Sequence, residues 1–287
     1  MEGTPDPRHA GKRSVAVVSL QPDSFSVVIP AVNEAAIIGA AVTDARAHAG
    51  VAEVLVVDGG SRDATLDEAR AAGARVLCSP CGRGAQMNAG ARAARASTLL
   101  FLHADCRLPR DAVVAMRDVL ARGYHAGTFA IDYGSPHPVL RMVSWLSRLQ
   151  APWTEFGEAG LFVRRWLFER LGGYPEWPVF EDVEMLARLR RAGPLGRARG
   201  QVRASPRRYQ SAGVWRQQFR NAGLYLLYQL GVPPRRLARA YDQDCAHSSP
   251  SERVASHGEK VYGSDVSGSP LNCLPPPVSP PSSAIGR

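Results

Sequence analysis

Lysine is nearly absent from this sequence: of 35 basic residues, only Lys12 and Lys260 are Lys and the rest are Arg. Long apolar runs are absent as well. Stretches such as Val54–Val57 and Leu224–Tyr228 fall far short of the roughly 20 residues a membrane-spanning helix needs, so no transmembrane helix is expected. Cysteine is scarce and odd in number, at Cys78, Cys81, Cys106, Cys245 and Cys273. The first residues mix Glu2 and Asp6 with Arg8, Lys12 and Arg13 ahead of only the short run Val15–Leu20, which is not a secretory leader. These two features argue against a disulfide scaffold and for a reducing, cytoplasmic compartment. No repeat of 20–50 residues is present, which excludes a solenoid. Acidic residues vanish from one stretch: Ala187–Arg239 holds 13 Arg and no Asp or Glu. That stretch either seeks anions or is a solvated basic face.

What is present is globular. The chain has 287 residues, 45% hydrophobic and 21% charged, with 35 basic against 26 acidic side chains for a net +9. That is one large domain or two small ones. Residues 1–24 read as a flexible arm. Residues 244–287, rich in Pro and Ser and containing Leu274-Pro275-Pro276-Pro277, read as a disordered tail that cannot bury enough apolar surface to offset its ordering entropy. Between them, 25–243 is the folded body.

In its first half, apolar runs alternate with helical patterns. Strands are expected at Phe25–Pro30, Val54–Val57, Arg75–Cys78 and Thr98–Leu102, and helices at Ala35–His48, Asp63–Ala72 and Ala85–Arg95. That order signals βαβ units and a parallel sheet. Beyond Asp105 the pattern loosens: helices near Pro109–Arg122, Val139–Leu149, Glu181–Arg191 and Gln217–Leu230, a strand near Gly127–Asp132 and an edge strand at Leu161–Val163 followed by a helix to Leu171. The halves divide at 108: a nucleotide-binding sheet at 25–108, then acceptor apparatus at 109–243.

Ligands of an open parallel sheet bind beyond the carboxyl ends of its strands. Those ends carry Asn33 and Glu34; Asp58, Ser61 and Asp63; Arg83 and Gly84; His103 and Asp105. Singly each has a plain structural reading: Asn33 and Asp63 as helix caps, Asp58 and Asp105 as turn residues. Together they line one edge of one sheet. The turn Ala31-Val32-Asn33-Glu34 has no glycine and Gly-Lys-Ser/Thr occurs nowhere, so dinucleotide and P-loop sites are excluded. Carboxylates with few cradling glycines suit a nucleotide held by base and ribose, its diphosphate bridged by a divalent cation. Cys78-x-x-Cys81 and His103-x-x-Cys106 have zinc-like spacing. In a sheet ordered 3-2-1-4 the two pairs would lie on opposite sides, so inert thiols are expected instead.

The runs Phe25–Glu34, Val56–Thr65, Gly82–Gly90 and Phe101–Asp105, with Glu181-Asp182 further on, resemble family 2 glycosyltransferases of GT-A fold over residues 25–241. Gly157–Val163, Leu171–Tyr174 and Leu227–Val232 more narrowly resemble the radical-SAM/selenodomain-associated transferase 2 branch, linked to arsenosugars. The resemblance implies an α/β GT-A-type nucleotide-diphospho-sugar transferase fold with a mostly parallel sheet flanked by helices. It implies hexosyl transfer from a nucleotide-diphospho-sugar, UDP-linked by family habit, to an unknown acceptor. Asn33, Glu34, Asp58 and Ser61 would line the base and ribose pocket, with Arg83 and Asn88 close by. Asp105, with His103, would hold Mg2+ or Mn2+. Asp182 would be the general base of an inverting displacement, supported by Glu181. Glu158, Arg207, Arg208 and Arg220 are candidate contacts to acceptor or phosphate.

Two positions depart from the family pattern. His103 replaces the first acid of Asp-x-Asp, and Glu158-Ala159 replaces the branch's Asp-Gln pair. A catalytically degenerate nucleotide-sugar-binding or partner-binding protein is therefore the alternative reading. A sugar-1-phosphate nucleotidylyltransferase would need a Gly-rich loop after the first strand, absent here. No nucleic-acid partner is expected, because Phe219, Tyr225 and Tyr228 follow a helical apolar pattern rather than a stacking platform. Val139–Trp153, with Trp145, Arg141 and Arg148, reads either as a lid or core helix or as peripheral membrane contact. Nothing in the sequence specifies an oligomeric state.

Overall fold

The computed structural model describes residues 23–149, 159–206 and 213–238. Residues 1–22 of the expected arm at 1–24, the whole expected tail at 244–287, and the candidates Glu158, Arg207 and Arg208 lie outside the described residues. In chain order the elements are β1 (Phe25–Ala31), α1 (Ala35–Arg46), β2 (Val51–Asp58), α2 (Thr65–Ala71), β3 (Arg75–Cys78), α3 (Arg83–Ala93), β4 (Thr98–Phe101) and β5 (Cys106–Arg107). Then follow α4 (Ala112–Ala121), β6 (Ala126–Asp132), α5 (Pro138–Leu146), β7 (Leu161–Arg164), α6 (Arg165–Arg170), α7 (Glu181–Ala192), β8 (Gly196–Ala204), α8 (Val214–Gln229) and α9 (Pro234–Leu237).

The strands form one sheet in the order β3-β2-β1-β4-β7-β6-β8-β5. β1, β2, β3 and β4 run parallel, in the expected 3-2-1-4 order. β7 is antiparallel to both β4 and β6, β6 and β8 are parallel, and β5 is antiparallel to β8. The sheet is thus mostly parallel, with β7 and β5 reversed.

Both faces are covered, as a parallel sheet requires. Alternate residues of β1 serve opposite faces. Phe25, Val27 and Ile29 join the core under α1 and α4, with Ile38, Val42, Met116 and Val119. Val28 faces the other way, into the core under α3, α6 and α7, with Met87, Phe168, Met185 and Leu189. Gly90 lets α3 lie directly on β1, since a Cβ there would meet a methyl of Val28 at 2.3 Å. A third, small cluster joins Val179 to Leu224 of α8 and Leu237 of α9.

Three elements differ from the sequence expectation. The segment at Leu161–Val163 is not an edge strand: β7 sits between β4 and β6. Leu161, Phe162 and Val163 are all buried, which a central strand demands. β8 has no β-branched run to announce it. Its inward residues are Gly196, Ala198, Val202 and Ala204, alternating with Arg, and the alternation breaks at a register shift against β6. There Gly200 has φ +87, as a bulge requires. β5 is two residues long, below what periodicity can reveal.

Candidate active site

The loops after β1 and β2 meet at the carboxyl edge of the sheet and are zipped together by side chains. The Asn33 N–H donates to Ser61 Oγ at 2.9 Å, and the Arg62 N–H donates to Asn33 Oδ1 at 2.9 Å. The Glu34 N–H donates to Thr65 Oγ1 at 2.8 Å, and the Ala35 N–H donates to Asp63 Oδ2 at 3.2 Å. Asp58 is 2% exposed. Its Oδ2 accepts the N–H groups of Gly60 at 2.9 Å and Ser61 at 3.0 Å, and its Oδ1 accepts the Ser61 hydroxyl. Asp58 therefore fixes its own turn, and the residues expected around a nucleotide form one hydrogen-bonded floor. Asp63 also accepts the Thr65 N–H at 3.0 Å. Burial raises its pKa, but the bonds from Thr65 and Ala35 outweigh that and hold it below the ordinary carboxylate value.

Asn33 has φ +54. Apart from glycines, only Asn33 and Phe180 among the described residues have positive φ. Such backbone strain concentrates at functional sites, and these two residues immediately precede Glu34 and Glu181. A bulky residue at φ +62, as Phe180 is, needs its surroundings to hold it. The Phe180 ring stacks on Tyr228 of α8 at 4.9 Å and meets Tyr225 at 6.4 Å.

The start of α7 carries the acids. Glu181, Asp182 and Glu184 all lie in its first turn, where the helix dipole favours negative charge. Were that the whole story, the Glu181 pKa would fall. Glu181 instead rises from 4.5 to about 7. Burial is the main cause, the neighbouring Asp182 charge adds to it, and Arg83 at the start of α3 opposes it. Glu181 is 3% exposed, whereas Asp182 is only partly buried. Asp182 Oδ1 accepts the Val183 N–H at 2.8 Å. The structure thus brings Arg83, Glu181 and Asp182 from the two halves of the chain into one electrostatic group.

Two residues of this region carried no role in the sequence reading. Burial pushes the Tyr174 phenol well above its ordinary value, and the charges of Asp182 and then Glu181 push it further. The ring is fixed by Phe101 at 5.1 Å and Phe168 at 5.6 Å. Gln86, 2% exposed, donates its side-chain amide to the carbonyls of Ala31 at 2.9 Å and Val57 at 2.8 Å, tying α3 to the ends of β1 and β2. The signal for Gln86 was a polar residue amid small apolar ones in a buried helix. For Tyr174 the sequence carries no such signal.

Asn88 faces away from the floor. Its Nδ2 donates to the Tyr174 carbonyl and its Oδ1 accepts the Tyr174 N–H, both at 2.9 Å. It clamps the loop that leads to Glu181. Gly84 does related work: a Cβ there would meet the Pro175 carbonyl oxygen at 2.4 Å.

His103 and Asp105 follow β4, both partly buried. The Ser205 N–H donates to the Asp105 carbonyl at 3.2 Å, so β8 ends beside this loop. Among the described residues no cluster of three or more His, Cys, Asp or Glu side chains could hold a metal ion. A pair of donors such as His103 and Asp105 does fit a divalent cation that takes its other ligands from phosphate and water. It does not fit a cage made of protein alone. The zinc-like spacing is not realised as a metal cluster. Cys78 and Cys81 are disulfide-bonded, which corrects the expectation of inert thiols, and Cys106 is a buried thiol. Arg220 lies on α8, partly buried.

Residues 26–166 match the model of Glycosyl transferase family 2. The chain also resembles a mannosyltransferase from Pyrobaculum calidifontis, solved in complex with GDP-Man and Mn2+. That likeness has TM-score 0.51 at 20% identity and covers 63% of this chain, which spans just 56% of the mannosyltransferase. Glucosyl-3-phosphoglycerate synthase from Mycobacterium tuberculosis in complex with Mg2+ and uridine-diphosphate is similar at TM-score 0.51 and 21% identity, covering 74% of this chain and 80% of that one. The same enzyme with Mn2+, uridine-diphosphate and glucosyl-3-phosphoglycerate gives 0.50 at 20% identity, covering 74% and 81%. No curated protein matches the sequence. Likeness at such identity speaks for fold. The described body accordingly has the GT-A fold of nucleotide-diphospho-sugar transferases, and the family whose model its residues 26–166 match is Glycosyl transferase family 2.

Proposed function

We propose that the protein is a glycosyltransferase that moves a sugar from a nucleotide-diphospho-sugar to an acceptor hydroxyl by an inverting single displacement. One observation carries the reading: at the start of α7 a buried acid and a partly exposed acid stand side by side, facing Arg83 at the nucleotide edge. Two adjacent carboxylates in different surroundings can take different roles. Asp182, the more exposed, is the general base. The acceptor's O–H proton passes to its carboxylate as the new O–C bond forms at the sugar's anomeric carbon and the bond to the diphosphate oxygen breaks. Glu181, protonated up to about pH 7, keeps a second full charge away from Asp182.

The floor formed by Asn33, Glu34, Asp58 and Ser61 supports the nucleoside, uridine in our reading. Arg83, at the start of α3, acts on Glu181 through its charge. Asn88 acts through Tyr174. Asp105 and His103 would hold Mg2+ or Mn2+, which when bound supplies positive charge for the departing diphosphate. Glu158, Arg207, Arg208 and Arg220 are proposed contacts to acceptor or phosphate. The finer assignment to the radical-SAM/selenodomain-associated transferase 2 branch rests on sequence alone, as does a cytoplasmic location.

The test is thermal denaturation with UDP, GDP, dTDP or CDP, each with Mn2+ or EDTA. At about 100 times its Kd a ligand adds about 2.7 kcal/mol, or about 5–10 °C for a body of this size. A metal-dependent shift with one base is expected. Asp182→Asn should keep that shift and lose transfer by about 10²–10⁴-fold. A cooperative melt that no nucleotide moves would overturn the reading in favour of a degenerate, partner-binding protein.

A further inference from the structure

Among the described residues ten large hydrophobic side chains are exposed, and eight of them belong to α5, α8 or the turns that end them. On α8 the pattern is inverted relative to an ordinary surface helix. Its inner face is held by Leu224, with Tyr225 and Tyr228 against Phe180. Its outer face carries Trp215, Phe219, Ala222, Leu226 and Leu230 at helical spacing, with the four large ones 58–72% exposed. A helix whose solvent side should be polar is apolar there for its whole length. Trp215 and Phe219 stack on each other at 5.9 Å, out in the open. α5, which packs beside α8, likewise exposes Met142, Trp145 and, one turn on, Leu149.

The charge carried by α5, α8 and α9 themselves has one sign. Arg141 on α5, Arg148 in the turn that ends it, Arg216 on α8, and Arg235 and Arg236 on α9 are all exposed. No Asp or Glu occurs between Tyr133 and Leu149, or between Ala187 and Arg239. Apolar side chains rimmed by arginines, with two tryptophans among them, match the chemistry of a lipid headgroup boundary: acyl chains below, anionic phosphates above.

We infer that α5 and α8 form a docking face for an anionic membrane surface, on which this chain lies without spanning it. No described helix is long and apolar enough to cross a bilayer, and two short apolar faces give shallow, reversible attachment. The geometry has a corollary that rests on the proposed function. The inner side of α8 holds Phe180, which precedes Glu181 and Asp182, so a docked chain would keep those acids about one helix diameter, ~10 Å, from the lipid. The docking itself stands whether or not the acids act as proposed.

The test uses the full chain and sedimentation with vesicles of phosphatidylcholine alone or mixed with phosphatidylglycerol. Binding to the anionic vesicles, weak binding to the neutral ones, and loss on raising salt are expected. Tryptophan emission should shift to shorter wavelength on binding. Trp215→Ser/Phe219→Ser/Leu226→Ser alters exposed positions alone and should weaken binding about tenfold or more while leaving the melting temperature and its nucleotide shift in place. Met142→Ser/Trp145→Ser on α5 is the second variant should the first fail to fold, with the same loss expected. Two outcomes overturn the proposal. One is absence of binding to anionic vesicles at low salt. The other is a doubled mass in solution that the α8 variant abolishes, which would make the face a contact between two copies of this chain.

Discussion

At the residue scale, Glu181 and Asp182 show how neighbours in sequence acquire different chemistry. A helix start should favour both anions, yet burial wins at Glu181. Its folded value of about 7 exceeds the ordinary 4.5, so between those pH values the folded chain keeps a proton that the unfolded chain releases. The stability this group contributes is therefore full below about pH 4.5 and lost as pH rises to about 7. Glu181→Gln keeps the neutral shape, so its urea-unfolding stability should vary less than that of the wild type across this window. Equal slopes for the two proteins would show that the carboxyl is not raised. Asn88 gives a second prediction. Asn88→Ala strands a buried N–H and a buried carbonyl of Tyr174, at about 1–3 kcal/mol each, and should lower unfolding free energy by at least about 2 kcal/mol. It was the resemblance to a family motif that singled out the two acids, and their place at a helix start was legible in the sequence. Tyr174 was not, because its relation to them depends on packing against Phe101 and Phe168, which sequence spacing does not encode.

At the scale of elements, α3 positions the site without being amphipathic. It touches β1 through Gly90, the ends of β1 and β2 through Gln86, and the Pro175 loop through Gly84. The two glycines separate stability from activity. Gly90→Ala drives a Cβ into Val28 and should cost about 1–3 kcal/mol, leaving the rate per folded molecule unchanged. Gly84→Ala pushes on the Pro175 carbonyl, in the loop that leads to Glu181, and should cut transfer by about 100-fold, the scale of a 1 Å misplacement. Unfolding curves and steady-state rates on the same samples check both; equal rate losses would refute the distinction. The first half of the fold, β5 apart, was legible because buried parallel strands are continuous apolar runs and its helices are amphipathic or bounded by turn residues. β8 was not, because its inward side chains are small and Gly200 interrupts its alternation. β7 was visible as a strand but not in its place, since order within a sheet is set by partners far away in the chain.

At the scale of the whole molecule, the division at residue 108 does not divide the sheet. β4 and β5 come from the first half, yet β4 pairs with β7 and β5 with β8. Across the same boundary Arg83 faces Glu181 and Asn88 clamps Tyr174. A chain ending after Leu149 should therefore lack a cooperative melt and scatter light on warming; a sharp transition in that fragment would show that it folds without β7 and β8. β6 makes the consequence concrete. Both strands that flank it, β7 and β8, are later in sequence, and six of its seven residues, Ala126–Ile131, are buried once the fold is complete. During synthesis at about 5–20 residues per second, roughly 2–6 s separate the last residue of β6 from the last residue of β7, and β8 follows later still. For that interval an apolar strand waits beside the ribosome with neither edge occupied. The danger in making this protein is thus one of timing, and slow codons between residues 132 and 164 would lengthen the wait.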